Sequence, residues 1–369
     1  MSEQKVQNNG AEPRWATFMH HKAAALGIPL AGNFELTSRC NFNCKMCYVH
    51  DNANKNELSA EEWIALGKEA VNNGMMFLLL TGGEPFLRKD FPKIYRGLKE
   101  LGLLISINTN GSLIDDELFD LLKYDPPLRM NISLYGACNE TYRQLCGQAA
   151  FDKVTENILR LKDAGIQVKL NGSITPYNAG DIPALYSFAE ENGLVLKATT
   201  YMFPPVRVNG CKFGEACHRF TAEEAAEQML LCREQFMTPA QLKSSAGRTR
   251  EIDDCTGTER EPMHCRAGKS AFWVTWDGRM LPCGMFPDEG YRLKEIGFRN
   301  AWDAVRKDVQ TVRLPAKCTA CPDRPSCAAC AASVLTETGG LDTAPEYICR
   351  MTKHLRDLTA RKYGSEEAL

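Results

Sequence analysis

The chain has no apolar run approaching the roughly 20 residues that a transmembrane helix needs. Its start, Met1 to Arg14, is polar and lacks the apolar stretch of a signal peptide. These two absences set the expectation of a cytoplasmic protein with no membrane association. An excess of one charge is missing as well: 44 Lys and Arg stand against 46 Asp and Glu, a formal net charge of −2, with no block of like charge. That argues against a nucleic-acid stripe or a polybasic membrane patch. Internal repeats and low-complexity tracts are also absent. What is there, 369 residues of which 44% are hydrophobic and 24% charged, is ordinary for a globular protein that buries a real core. The length fits two domains, or one large α/β domain with an appendix.

Cysteine is the one residue in excess, with 16 in the chain. In a reducing compartment these are poor candidates for a disulfide framework, so metal or redox roles become the default reading. Three fall between Cys40 and Cys47 and seven between Cys265 and Cys349. The scattered Cys138, Cys146, Cys211, Cys217 and Cys232 read as small buried hydrophobes or spectators.

Between Asn33 and Tyr201, short apolar runs alternate with amphipathic stretches. The strand candidates are Phe34–Leu36, Met76–Leu80, Leu103–Asn108, Arg129–Leu134, Val168–Ile174 and Val195–Thr200. Helical patterns separate them at Ala60–Asn73, Phe91–Leu101, Asp115–Leu122, Phe151–Ala164 and Ile182–Asn192. Ser59 ahead of Glu61 and Glu62 is a helix start, and Asn73-Gly74 and Ala164-Gly165 are helix ends. Such alternation implies βαβ units, a parallel sheet and right-handed crossovers. Beyond Thr200 the pattern changes. Met202–Arg219 reads as loop, Thr221–Phe236 as a helix opened by a Thr221/Glu224 capping box, and Ser244–Met263 as irregular. A hairpin follows, Phe272–Trp276 and Arg279–Leu281 around Asp277-Gly278. The remainder shows few periodic elements before a helix from about Ile348 to Tyr363.

Directly after the first strand stands Cys40-Asn-Phe-Asn-Cys44-Lys-Met-Cys47. Three thiolates on one short loop can bind three irons of a cubane and leave the fourth open to a chelating ligand, whereas four cysteines close a cluster for electron transfer. Zinc is the alternative; it normally takes four ligands, and His50 could supply the fourth. After the second strand comes Leu78-Leu-Leu-Thr81-Gly82-Gly83-Glu84-Pro85, a turn whose glycines let backbone approach a ligand and whose carboxylate can pair with an ammonium. The trio and this turn, about 40 residues apart, resemble the radical S-adenosylmethionine (SAM) superfamily over roughly Asn33 to Tyr201. The resemblance implies a partial (β/α)6 TIM barrel, a SAM-cleaving 4Fe–4S cluster on Cys40, Cys44 and Cys47, and SAM held by Gly82, Gly83 and Glu84. Asn108-Thr-Asn-Gly111 and Asn131-Ile-Ser-Leu-Tyr-Gly136 resemble further SAM-facing loops, with Ser133 as a hydrogen-bonding contact. Two positions depart from the family. Met46 stands where an aromatic residue usually packs near adenine, and Cys146 stands where many relatives place an Arg before the glycine. The nearby Arg143 is not given that role.

Cys265 and Cys283 flank the hairpin. Cys318-x2-Cys321-x5-Cys327-x2-Cys330 and Cys349 follow, an order similar to the SPASM extension of radical SAM enzymes, with Cys327 and Cys330 one residue closer than usual. By that resemblance one auxiliary 4Fe–4S cluster uses Cys265, Cys283 and Cys330, and a second uses Cys318, Cys321, Cys327 and Cys349. Seven thiolates leave one ligand short of two closed cubanes, and Cys255 is the candidate for it. A zinc ribbon is compatible with the C-x2-C pairs alone. The implied organisation is an N-terminal extension (1–32), a radical SAM core (33–205), a bridging loop and helix (206–254), and a small cysteine-rich SPASM domain with a C-terminal helix (255–369).

The resemblance further implies an electron from a flavodoxin or ferredoxin, cleavage of SAM to a 5′-deoxyadenosyl radical, and net oxidation of the substrate with the auxiliary clusters as electron sink. The leading expectation is a thioether or carbon–carbon crosslink in a ribosomally made peptide. The alternatives are sulfatase-maturase-like oxidation of Cys or Ser, and dehydrogenation of a small-molecule alcohol. A non-catalytic iron–sulfur electron carrier would lack the glycine-rich turn. The 33 residues up to the first strand are too few for a leader-binding domain, so either a separate protein presents the peptide or the substrate is not leader-guided. No catalytic acid or base is assigned; Tyr201, Asp277 and Asp288 are polar residues near the expected loops.

Overall fold

The computed structural model of the protein describes residues 14–49, 56–206, 218–247, 260–287 and 289–364. A first helix, α1 (Arg14–Leu26), which the polar N-terminus did not announce, leads into β1 (Ala31–Glu35). Five units of the same kind follow: α2 (Ala60–Asn72) and β2 (Phe77–Thr81), α3 (Phe91–Glu100) and β3 (Leu104–Thr109), α4 (Asp116–Tyr124) and β4 (Arg129–Ser133), α5 (Asn139–Cys146) with α6 (Phe151–Asp163) and β5 (Val168–Ser173), and α7 (Ile182–Glu191) and β6 (Val195–Thr199). Each strand pairs in parallel with the next, and β6 does not return to β1, so the six form an open, partial barrel.

The local causes are those the sequence carries. Ser59 and Glu62 close a reciprocal capping box on α2, whose Trp63, Leu66 and Ala70 then face the sheet. Ile94, Tyr95 and Leu98 do the same on α3, and Val154, Ile158 and Leu161 on α6. Phe34, Leu80, Ile107, Ile132 and Leu170, one from each of five neighbouring strands, are fully buried beneath these helices. Apolar burial of this kind is the main stabilising term of the fold.

The C-terminal part extends the same sheet. The strands β7 (Ala271–Val274), β8 (Arg279–Leu281) and β9 (Tyr291–Arg292) form an antiparallel run, and β7 pairs in parallel with β1, Ala31 opposite Ala271 and Phe34 opposite Val274. The hairpin thus covers the edge that the open barrel leaves at β1. Helices α8 (Ala222–Glu234), α9 (Pro239–Ala246), α10 (Leu293–Ile296), α11 (Phe298–Thr311), α12 (Ala316–Thr319), α13 (Ala331–Thr338) and α14 (Glu346–Tyr363) complete the described chain. Two readings are corrected here. The segment expected to be irregular from Ser244 begins inside α9, and the stretch expected to show little periodicity contains α11. Its Phe298, Ala301, Trp302, Val305 and Val309 recur at helical spacing and are buried. Helix α14 lies against α8, with Arg350 on Glu223 at 2.8 Å and the Tyr347 hydroxyl donating to the Phe220 carbonyl at 3.0 Å. Met263, Phe286, Val312, Leu314 and Val334 form a second, smaller core. No helix among the described residues is long and apolar enough to cross a membrane.

Candidate active site

The first cysteine loop is held in place by the turn after β2. Parallel pairing continues past the ends of both strands: Leu36 N donates to Thr81 O at 2.8 Å, Gly83 N to Thr37 O at 2.7 Å, and Glu84 N to Arg39 O at 2.9 Å. A Cβ on Gly82 would lie 2.6 Å from the Thr37 carbonyl oxygen, and one on Gly83 2.2 Å from that of Arg39. These glycines therefore serve first the contact between two backbones, one of which leads directly to Cys40, rather than only the approach of a ligand.

Glu84 is placed differently from the expectation of a ligand-facing carboxylate. It is fully buried, does not line the cavity, and accepts from Thr109 Oγ1 (2.8 Å), Asn110 N (2.7 Å) and Phe86 N (3.1 Å). Burial pushes its carboxyl up to about 7, against the opposing pull of these donors. The loop it fixes carries Asn110, whose side-chain amide donates to Asn41 Oδ1 at 2.9 Å, beside Cys40. Glu84 thus braces the cysteine loop through Asn110.

The far side of that loop rests on α5. Asn43 N donates to Cys146 O at 2.9 Å and Lys45 N to Leu145 O at 3.0 Å. The free Cys44 thiol is hydrogen-bonded to the buried Cys146, and that contact together with burial pushes it well up. Burial likewise pushes the Cys40 thiol up to about 12. Cys146 is therefore a buttress of the loop, while Arg143 is exposed and pairs with Glu140.

Cys40, Cys44, Cys47 and Met46 form one wall of a cavity of about 450 Å³ at the carboxyl ends of the strands, where α/β barrels bind ligands. Gly82 and Gly83 border it. Its floor is a row of amides and hydroxyls from β3, β4 and β5: Asn108, Asn131, Ser133, Asn171 and Ser173, with Asn131 Nδ2 donating to Asn108 Oδ1 at 2.8 Å. Tyr201, Met202, Phe203 and Met285 also line it. Among the described residues lining it, none is Lys, Arg, Asp or Glu. Three thiols on one wall of so wide a space could hold three irons of a cubane, with room for a chelating ligand beside the fourth. A single zinc would need four donors around one point, and the loop supplies three thiols. His50 lies outside the described residues.

Sequence reasoning missed the group behind Tyr201. The Tyr201 phenol donates to Glu337 Oε1 at 2.8 Å, and Arg219 pairs with the same carboxylate at 2.6 and 3.1 Å. The guanidinium lies over the Tyr347 ring, 3.8 Å from its centroid. Arg219 and Glu337 are 9% and 5% exposed, so a buried ion pair anchors a phenol of the cavity wall. Its members come from the loop after β6, the loop before α8, and α13. Burial and the Glu337 carboxylate push the Tyr201 phenol well up, and it stays a hydrogen-bond donor to Glu337.

A second cavity, of about 150 Å³, is lined by Cys318, Cys321, Cys327 and Cys349, with Lys317, Arg324 and Lys353 beside them. Four thiols around one space could hold a closed cluster. Cys283 and Cys330 are half-buried against the smaller core, and Cys330 caps α13. Cys265 is exposed. Asp277 is taken up in the hairpin turn by Thr275 and Arg279. Cys255 and Asp288, like Cys211 and Cys217, lie outside the described residues.

Residues 34–189 match the family model of the radical SAM superfamily. A probable GTP 3′,8-cyclase of Saccharolobus islandicus is 37% identical over 254 residues, 67% of this chain and 80% of that protein. The AdoMet-dependent heme synthase of Methanosarcina barkeri is 26% identical over 336 residues, 87% of this chain and 96% of that protein. The solved structure of anSMEcpe with bound AdoMet and Cp18Cys peptide shares the fold at a TM-score of 0.66 and 17% identity, covering 91% of this chain and 98% of that one.

Proposed function

This chain belongs to the radical SAM superfamily and is a radical SAM enzyme, and on that premise we propose that it oxidatively modifies a ribosomally made peptide, forming a thioether or carbon–carbon crosslink. Membership implies SAM and a 4Fe–4S cluster; in our reading Cys40, Cys44 and Cys47 hold the cluster, and Gly82, Gly83, Ser133 and Met46 border the bound SAM. When bound, these cofactors supply a 5′-deoxyadenosyl radical able to take hydrogen from an unactivated carbon. The chain's own work is to fix the thiols through the turn after β2, to present the amide floor, and to keep water out with Tyr201, Phe203 and Met285.

The observation that carries the oxidative reading is the second cavity, where four cysteines surround one space. In our reading they hold an auxiliary cluster that takes up the electron left on the substrate, while Cys265, Cys283 and Cys330, with Cys255, hold another. Residues 255–369 then form a SPASM domain after a core at 33–205, and a flavodoxin or ferredoxin supplies the first electron. The peptide reading is supported by the neutral amide, hydroxyl and aromatic lining, which suits peptide groups, and by the peptide held in the anSMEcpe structure that shares the fold. A small-molecule substrate is the second reading, favoured by the likeness to the heme synthase over nearly the whole of that protein.

The test is to incubate the anaerobically reconstituted enzyme with SAM, dithionite and short Cys-rich peptides encoded by neighbouring reading frames. Mass spectrometry should show loss of two hydrogens from one peptide, in step with 5′-deoxyadenosine. Vigorous 5′-deoxyadenosine formation with every such peptide left unchanged would count against the peptide reading.

A further inference from the structure

The wall of the four-cysteine cavity carries a charge pair that ligation of a cluster does not require. Arg324 borders the cavity and sits between two of its cysteines in sequence. Its Nε donates to Glu261 Oε2 at 2.8 Å, and a second guanidinium nitrogen donates to the carbonyl of Ala329 at 3.1 Å and, at longer range, to that of Cys327 at 3.4 Å. The two side chains are 15% and 17% exposed, so water screens them poorly.

Glu261 is fixed independently of Arg324. Its N–H donates to Thr319 Oγ1 at 2.8 Å, its carbonyl accepts from Leu314 N at 2.8 Å, and its other carboxylate oxygen lies 2.7 Å from His264 Nε2. The remaining charges on the wall are Lys317, Lys353 and Asp323, and Asp323 is paired with Arg356. The Arg324 guanidinium thus keeps its backbone acceptors without Glu261, and Glu261 keeps its main-chain bonds and His264 without Arg324.

We propose that Arg324 and Glu261 are an opposing pair of positioning residues that set the reduction potential of a 4Fe–4S cluster held by Cys318, Cys321, Cys327 and Cys349, the guanidinium raising it and the carboxylate lowering it. The inference rests on the reading above that these cysteines bind a cluster. A four-thiolate cubane is anionic, and reduction adds one electron and one further negative charge. A cation held nearby stabilises the reduced form, and an anion opposes it. The structure places the cation on the cavity wall and its counter-charge behind it, so the net effect favours reduction, as an acceptor of substrate electrons requires.

The experiment is an anaerobic redox titration with dithionite, followed by electron paramagnetic resonance, on the full-length reconstituted enzyme and on Arg324→Gln, Arg324→Lys and Glu261→Gln. The relevant signal is the one lost in a Cys321→Ser/Cys349→Ser variant, and iron content is measured throughout. Arg324→Gln should move the midpoint to lower potential, Glu261→Gln should move it to higher potential, and Arg324→Lys should stay close to the parent. Shifts of the same sign, or none with iron intact, would overturn the proposal while leaving the cluster assignment standing. Should Arg324→Gln lose iron, Glu261→Gln decides by itself, and a midpoint that fails to rise overturns the proposal. A Cys321→Ser/Cys349→Ser variant with unchanged iron and unchanged signals would sink both the cluster assignment and the proposal built on it.

Discussion

At Gly83 a single added methyl would lie 2.2 Å from the Arg39 carbonyl, whereas at Gly180 it would meet nothing within 4 Å. Overpacking of this kind costs about 1–3 kcal/mol, and here the strain falls on the segment that leads into Cys40. Gly83→Ala should therefore lose about that much stability and bind SAM poorly in calorimetry, while Gly180→Ala stays within about 0.5 kcal/mol of the parent. Equal behaviour of the two would contradict the role given to the turn. Glu84 makes a second residue-level case. One of its oxygens accepts from Phe86 N and the other from Asn110 N, so the amide of Glu84→Gln must point a donor at a donor in either orientation. The expected loss is about 1–3 kcal/mol. Because burial raises this carboxyl to about 7, above its unfolded value, its stabilising contribution is full below the unfolded value and falls as pH rises through about 7. Denaturation curves should show parent stability declining across that window relative to Glu84→Gln, and parallel pH profiles would show that the carboxyl is not perturbed.

Helix α13 is where the site stops being readable from sequence. Its N-cap is Cys330 and its last turn supplies Glu337, which meets Arg219 across 118 residues of chain and holds Tyr201 against the cavity. Breaking a buried pair by removing one partner costs about 3–5 kcal/mol, while an apolar replacement of both is far milder. Glu337→Gln should thus destabilise strongly, and Arg219→Met/Glu337→Met should recover most of the loss in chemical denaturation. Additive single and double effects would mean that the pair is not coupled. The βαβ core was legible because each strand and helix carries its own period and caps, and the Cys40–Cys47 loop and glycine turn because their chemistry sits within a few residues. Cys318, Cys321, Cys327 and Cys349, the set that the resemblance implied, line one cavity. The Tyr201, Arg219 and Glu337 contact has no local signature. Helix α11 did have one, in Phe298, Trp302, Val305 and Val309, where few periodic elements were expected. The pairing of β7 with β1 was hidden for another reason: four residues of strand say nothing about which edge they join.

On the scale of the whole molecule, one nine-stranded sheet carries both parts of the chain, and the hairpin that opens the C-terminal part is hydrogen-bonded to the strand that leads into the first cysteine loop. The first cysteine loop and the start of the C-terminal part thus share one frame. If all three proposed clusters assemble, about twelve irons should bind per chain, four to each cubane. About four irons with stoichiometric zinc would instead make the C-terminal region a structural zinc module. The most direct measurement is 5′-deoxyadenosine formed from SAM under dithionite, for the reconstituted parent and for a variant with Cys40, Cys44 and Cys47 all replaced by Ala. The account predicts formation by the parent and none by the variant, with iron retained at the C-terminal sites. A variant that still makes 5′-deoxyadenosine would show that SAM is cleaved somewhere other than at this loop.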